Sequence, residues 1–231
     1  MSEFRQFIFL LRKDLLLSFR AKDTLVLVFV FSVLVALIFA FAFGPIFPQD
    51  FEERGKLAAS VLWTALAFAG IITLNRSFEV ERISGGFHGV RLTGVDPGSV
   101  YLSKVVSNTI FLAFLEVLLT PITLQFLEAL DRISLQTMLK LIGVLSTGTL
   151  GFCAVGVVLS GISTSTHGKE SLLSVILLPL TVPVIMAGSK CTLSLLTTGE
   201  LQGGFWISIL IFYSLVFLAS SYLLFEFVLE D

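Results

Sequence analysis

The sequence is short of charge. Only 14% of its 231 residues are Asp, Glu, Lys or Arg, whereas a soluble domain carries about 25% to keep its surface solvated. With 55% hydrophobic residues and a mean hydropathy of +0.97, the chain lacks the polar groups to cover a globule in water. A soluble enzyme and a disordered tail are both excluded. Cysteine is scarce as well: Cys153 and Cys191 are the only two, too few for a stapled secreted scaffold or a metal framework. Both read as unpaired small hydrophobes. A phosphate-cradling loop of the form G-x-x-x-x-G-K-[ST] is missing. Gly168-Lys169 is followed by Glu170 where a hydroxyl is needed, and no glycine stands five residues earlier, so the chain is not expected to bind ATP. Neither H-E-x-x-H nor G-x-S-x-G occurs; no catalytic residue and no metal site are assigned.

What is abundant is long apolar runs. A helix needs about 20 apolar residues to cross a hydrocarbon core roughly 30 Å thick, and six stretches qualify: about 24–43, 57–75, 105–126, 139–160, 171–187 and 205–225. The fold class is therefore an all-α integral membrane protein with six transmembrane helices in one permease domain. The first run follows five basic residues and is too long for a signal-peptide core, so it is expected to stay as an anchor.

Ahead of it, residues 4–20 place Phe4, Phe7, Ile8, Leu11 and Leu15 at helical spacing, with Arg5, Arg12, Lys13 and Arg20 grouped on another side. This pattern predicts a basic amphipathic helix lying flat in the headgroup layer, arginines toward lipid phosphates; a helix at a partner interface is the alternative. Lys and Arg set orientation by their distribution among loops. Arg5, Arg12, Lys13, Arg20, Lys22, Arg76, Arg82, Arg91, Lys104 and Lys169 fall on one side, against Arg54, Lys56, Arg132, Lys140 and Lys190 on the other. Both termini are thus predicted cytoplasmic. His88 and His167 fall in cytoplasmic loops on this reading, away from any outer-side haem or metal site.

The longest hydrophilic connection is residues 76–104. Glu79, Glu81 and Arg82 are charged, Gly85-Gly86 permits a sharp bend, Phe87 to Leu92 is apolar and basic, and Asp96-Pro97-Gly98 reads as a turn. An ordinary helix connection needs far fewer residues. The segment is read as a compact cytoplasmic element that transmits a push, with a plain solvated loop as the alternative.

Glu116 is the acidic residue near the middle of a span. An ionised carboxylate there costs at least about 2.5 kcal/mol, so it is protonated, paired or facing a polar cavity. It is either part of an intramembrane pathway or a packing contact between helices. Pro121, five residues on, frees a carbonyl nearby. Pro179 and Pro183 lie four apart in the fifth span. The helix is expected to bend or break there, with Val184 to Gly204 either re-entering the outer leaflet or forming an exposed loop.

The strings LRKDLLL (11–17), LNRSFEVER (74–82), LTGVDPGSVYLSK (92–104), LEVLLTP (115–121) and the C-terminal LLFEFVLED together resemble the CcmB family, the haem exporter B membrane subunits of bacterial cytochrome c maturation. The resemblance covers nearly the full chain. It implies an ABC-2-type permease plan with an N-terminal elbow helix and a cytoplasmic coupling helix between the second and third spans, in the bacterial inner membrane. It also implies work with a CcmA-like ATPase that alone binds ATP, as a homodimer in a complex with CcmC-like and CcmD-like subunits, serving a CcmE-like haem chaperone. Nucleic acid has no place in this set. On the resemblance, the coupling role falls on Glu79, Glu81, Arg82, Phe87, His88 and Arg91, and the elbow role on residues 4–20. Haem handling by CcmC proteins uses a tryptophan-rich outer motif, whereas this chain has only the isolated Trp63 and Trp206, which argues against a directly bound cofactor. The competing reading is an ion- or proton-coupled secondary transporter built on Glu116 and a broken fifth helix.

Overall fold

The computed structural model describes residues 3–43, 51–84, 95–130, 133–165, 170–202 and 204–230. Among them are seven α-helices and no strand: α1 (Glu3–Arg20), α2 (Lys22–Phe43), α3 (Phe51–Ser84), α4 (Pro97–Phe126), α5 (Leu135–Ser165), α6 (Glu170–Thr198) and α7 (Gly204–Glu230). The last six are long and apolar enough to cross a membrane. The chain is a multi-pass membrane protein, preceded by an amphipathic helix.

Helix α5 is the centre, packed against α3, α4, α6 and α7. Its stretch from Gly151 to Val158 is buried throughout. Lipid supplies no hydrophobic drive between helices, so close approach depends on small residues. Gly148 of α5 and Gly188 of α6 both face Trp63 of α3; a Cβ at either would come within 2.2 and 2.0 Å of the indole ring. The indole Nε1–H donates to Thr192 Oγ1 at 2.9 Å. Gly70 receives Phe152, and Gly156 receives Leu74, in the same way. Helix α2 lies at the edge. Its buried stripe is Thr24, Val28, Ser32 and Ala36, one residue every turn.

The helices overrun the apolar spans, and this revises three local expectations. First, much of the segment 76–104 is helix. The end of α3 carries Arg76 and Glu79, whose 2.9 Å pair at i,i+3 supports the extra turns. Asp96-Pro97-Gly98 is a helix start and not a turn: the Asp96 carboxylate accepts the Ser99 N–H at 2.7 Å, and Pro97 occupies the first turn. Only residues 85–96 separate α3 from α4. Second, α6 continues through Pro179 and Pro183 to Thr198. Val184–Thr198 is therefore neither re-entrant nor an exposed loop. Thr181 Oγ1 donates to the Leu177 carbonyl at 3.0 Å, and the Tyr213 hydroxyl to the Leu180 carbonyl at 2.8 Å. Both bonds add a second donor to carbonyls within the proline-containing turns. The turn after α6 is short, made by Gly199 at φ +74°, with Ser194 Oγ donating to the Glu200 carbonyl and accepting the Gln202 N–H.

Third, α1 is docked on α4 and not carried by lipid alone. The Asp96 N–H meets Gln6 Oε1 at 3.5 Å, Ser103 Oγ donates to Asp14 Oδ2 at 3.3 Å, and Phe19 packs edge-on against Phe111 and Phe114. The partners advance together along both helices, so α1 follows the first half of α4 in the same direction for about 20 Å, at 1.5 Å per residue. At the opposite end of the bundle, Arg54 pairs with Glu128 at 3.0 Å.

Candidate functional site

Among the described residues, the buried Asp, Glu and Lys side chains fall at two sites. The first lies at the end of the bundle that carries α1. Extending the helical period of α4 backward from Leu115 through Phe111 places Asn108, Lys104 and Tyr101 on its buried side. Lys104 is 1% exposed, and Asp14 of α1 is 6% exposed. The Lys104 ammonium lies 4.0 Å from Asp14 Oδ1 and 5.0 Å above the Phe78 ring of α3. Lys13 Nζ holds the same carboxylate oxygen at 3.1 Å from the more exposed side. Asn108 Nδ2 donates to the Lys104 carbonyl at 2.8 Å and reaches Ser77 Oγ at 3.5 Å. One cation therefore joins three elements: the elbow helix, the overrunning end of α3 and the start of α4. A crevice of about 40 Å³ opens beside it, lined by Asp14, Ser18, Thr24, Thr73, Arg76 and Phe111 among others.

This arrangement places the coupling candidates unequally. Glu79 is engaged with Arg76 on an exposed helix face. Glu81 and Arg82 lie in the last turns of α3, while Phe87, His88 and Arg91 lie outside the described residues. Of the lipid-facing candidates, Arg5, Arg12 and Arg20 are exposed, whereas Lys13 turns toward Asp14. Neither Asp14 nor Lys104 was singled out from the sequence as a site residue. The signal was present: Phe7, Leu11 and Asp14 share one helical stripe, so a carboxylate occupies a position the period assigns to the apolar side.

The second site is Glu116, deep in α4. It is 8% exposed, and its Oε1 accepts a hydrogen bond from Thr149 of α5. Ser146, one turn earlier on α5, faces the same carboxyl. Oε2 has no protein partner among the described residues. A narrow cavity beside it is bounded by α2, α3, α4 and α5. Pro121 lies inside α4, which continues to Phe126. Pro179 and Pro183 are exposed on α6, and the cavity beside Glu116 is lined by other helices. The structure thus does not bring the prolines and Glu116 into one pocket.

Among the described residues no group of three His, Cys, Asp or Glu side chains is placed to hold a metal ion. Trp63, buried and bonded to Thr192, is a packing residue.

The family model described as CcmB protein matches residues 5–227. A relative from Bradyrhizobium diazoefficiens named heme exporter protein B is 23% identical over 207 residues, covering 90% of this chain and 89% of the relative. Another of that name, from Haemophilus influenzae, is 23% identical over 184 residues, 80% of each chain. With a family match over nearly its whole length and six spanning helices behind an amphipathic first helix, the chain belongs to the CcmB family.

Proposed function

We propose that the chain is the membrane subunit of a haem-export ABC complex in the bacterial inner membrane, and that it converts ATP hydrolysis by a separate CcmA-like subunit into helix movement. The work assists haem export or release of a haem-loaded chaperone, alongside CcmC-like and CcmD-like partners and a second copy of the chain. The family match and the relatives' names support the haem assignment. The observation that carries the coupling assignment is the Asp14–Lys104–Phe78 junction. A push on the end of α3, received at Glu79, Glu81 and Arg82 and at Phe87, His88 and Arg91, reaches α4 and α1 through one buried cation. On this reading that end of the bundle is cytoplasmic, in line with the excess of Lys and Arg there. The exposed Arg5, Arg12 and Arg20 are spread along α1 beside α4, and those level with the headgroup layer then meet anionic lipid.

The test is the double substitution Glu81→Ala with Arg82→Ala. Membrane insertion is expected to persist, while co-purification of the ATPase subunit in mild detergent and the cellular content of c-type cytochromes both fall. Normal co-purification together with normal cytochrome content would overturn the assignment.

The buried Glu116 carboxyl with one unpartnered oxygen favours a second reading, in which the chain is an ion- or proton-coupled carrier. That reading requires solute transport by the chain alone in liposomes, lost in Glu116→Gln.

A further inference from the structure

The cavity beside Glu116 is too small for a substrate and too polar to be an ordinary packing gap. It has about 30 Å³ of room, and three of the residues that line it each carry an oxygen with one shared property. Ser32 Oγ of α2, Glu116 Oε2 of α4 and Thr120 Oγ1 of α4 are all buried, and none has a hydrogen-bond partner in the protein among the described residues. The rest of the wall is leucine and alanine, such as Leu62, Ala69 and Leu115, apart from Thr123 of α4. Buried polar groups are rarely left unpaired, and least of all within a bilayer. Three such groups converge on one small space from two helices.

We infer that this cavity is a binding site for a single ordered water, held by Ser32, Glu116 and Thr120, that fastens α2 to the bundle core. The size admits a water, which needs at least about 10–15 Å³ and two to four polar partners. The donor and acceptor chemistry fits as well. A water donates to the carboxylate oxygen and to one hydroxyl while accepting from the other. A dehydrated cation would seek about six oxygens, and among the described lining residues three side-chain oxygens lack a partner. The consequence concerns α2, the span with the smallest buried share and one otherwise set largely toward lipid. Its seating at mid-depth depends on a mobile molecule and not on a direct side-chain bond, so α2 can part from α4 by losing one water.

The test uses the full chain in mixed detergent micelles, unfolded by SDS. Because the three groups make no hydrogen bond to one another, Ser32→Ala and Thr120→Val couple only through a shared third body. Each is expected to weaken the folded state, and the double variant to fall short of the product of the two effects by about fivefold. Strict additivity would overturn the proposal. Should either variant fail to insert, infrared spectra of the wild type in water and in oxygen-18 water decide: an isotope-sensitive O–H stretch of an internal water is expected, and its absence overturns the site. Thermal unfolding in a non-ionic detergent, without dodecyl sulfate, in sodium, potassium and choline chloride separates the ligands. Equal stability in all three supports water, whereas stabilisation by one metal cation, lost in Glu116→Gln, overturns it in favour of an ion.

Discussion

Trp63 shows how far a single side chain can dictate its surroundings. Its ring lies in a slot left by Gly148 and Gly188, with Cβ clearances of 2.2 and 2.0 Å, and its nitrogen is satisfied by Thr192. Gly188→Ala is therefore expected to destabilise the protein by about 1–3 kcal/mol, the range for overpacking a tight interior. Gly143→Ala, at a position with nothing within 4 Å of a new Cβ, should be neutral or slightly stabilising. Thermal unfolding of the two variants in detergent checks the contrast. The Asp14 carboxylate is flanked by two lysines of different burial. Lys104→Met is expected to cost about 3 kcal/mol, because it leaves a buried anion short of its interior partner. Lys13→Met, at a side chain 36% exposed, should cost less than about 1 kcal/mol. At this scale the sequence was legible only in part. Asp14 and Lys104 were visible as charges on apolar stripes, but their pairing joins positions 90 residues apart. Trp63 looked isolated because its glycine partners come from two other helices.

Among the elements, the existence of the six spans followed from length and hydropathy alone, since each must bury its backbone bonds within itself. Their ends did not. Charged residues such as Arg76 and Glu79 mark where lipid stops, and a helix can outlast the membrane when its polar side chains pair along its own surface. The start of α4 was misread because Asp-Pro-Gly serves equally in a turn and at a helix N-terminus; the Ser99 N–H bonded to Asp96 distinguishes them. Asp96→Ala should destabilise the protein by about 1 kcal/mol, with Asp96→Asn close to wild type, as a cap requires. Melting curves of both variants are the check. The α6 prolines were read as a break from their missing donors. The helix nevertheless runs on through both positions, and the Tyr213 hydroxyl that bonds the Leu180 carbonyl from another helix cannot be foreseen from the local sequence.

The whole molecule divides into an apolar bundle centred on α5 and a charged end where α1, the end of α3 and the start of α4 meet at Lys104. The sequence marked that end by its charge density, and on the proposed function it is where a partner's work enters. How the charged end is knit together was not legible, because a mechanical junction is made by contacts between elements and not by a motif. Glu116 was found at once, for a buried carboxylate is rare in such a setting; its setting among Thr149, Ser32 and Thr120 needed the fold. The central claim is that a partner ATPase drives this chain through the end of α3. The most direct measurement is ATP hydrolysis by the partner subunit in proteoliposomes, taken alone, with the wild-type chain, and with the chain carrying Glu81→Ala and Arg82→Ala. Stimulation by the wild type, falling to the unaccompanied rate with the double variant, is the expected result; the same rate in all three preparations would contradict it.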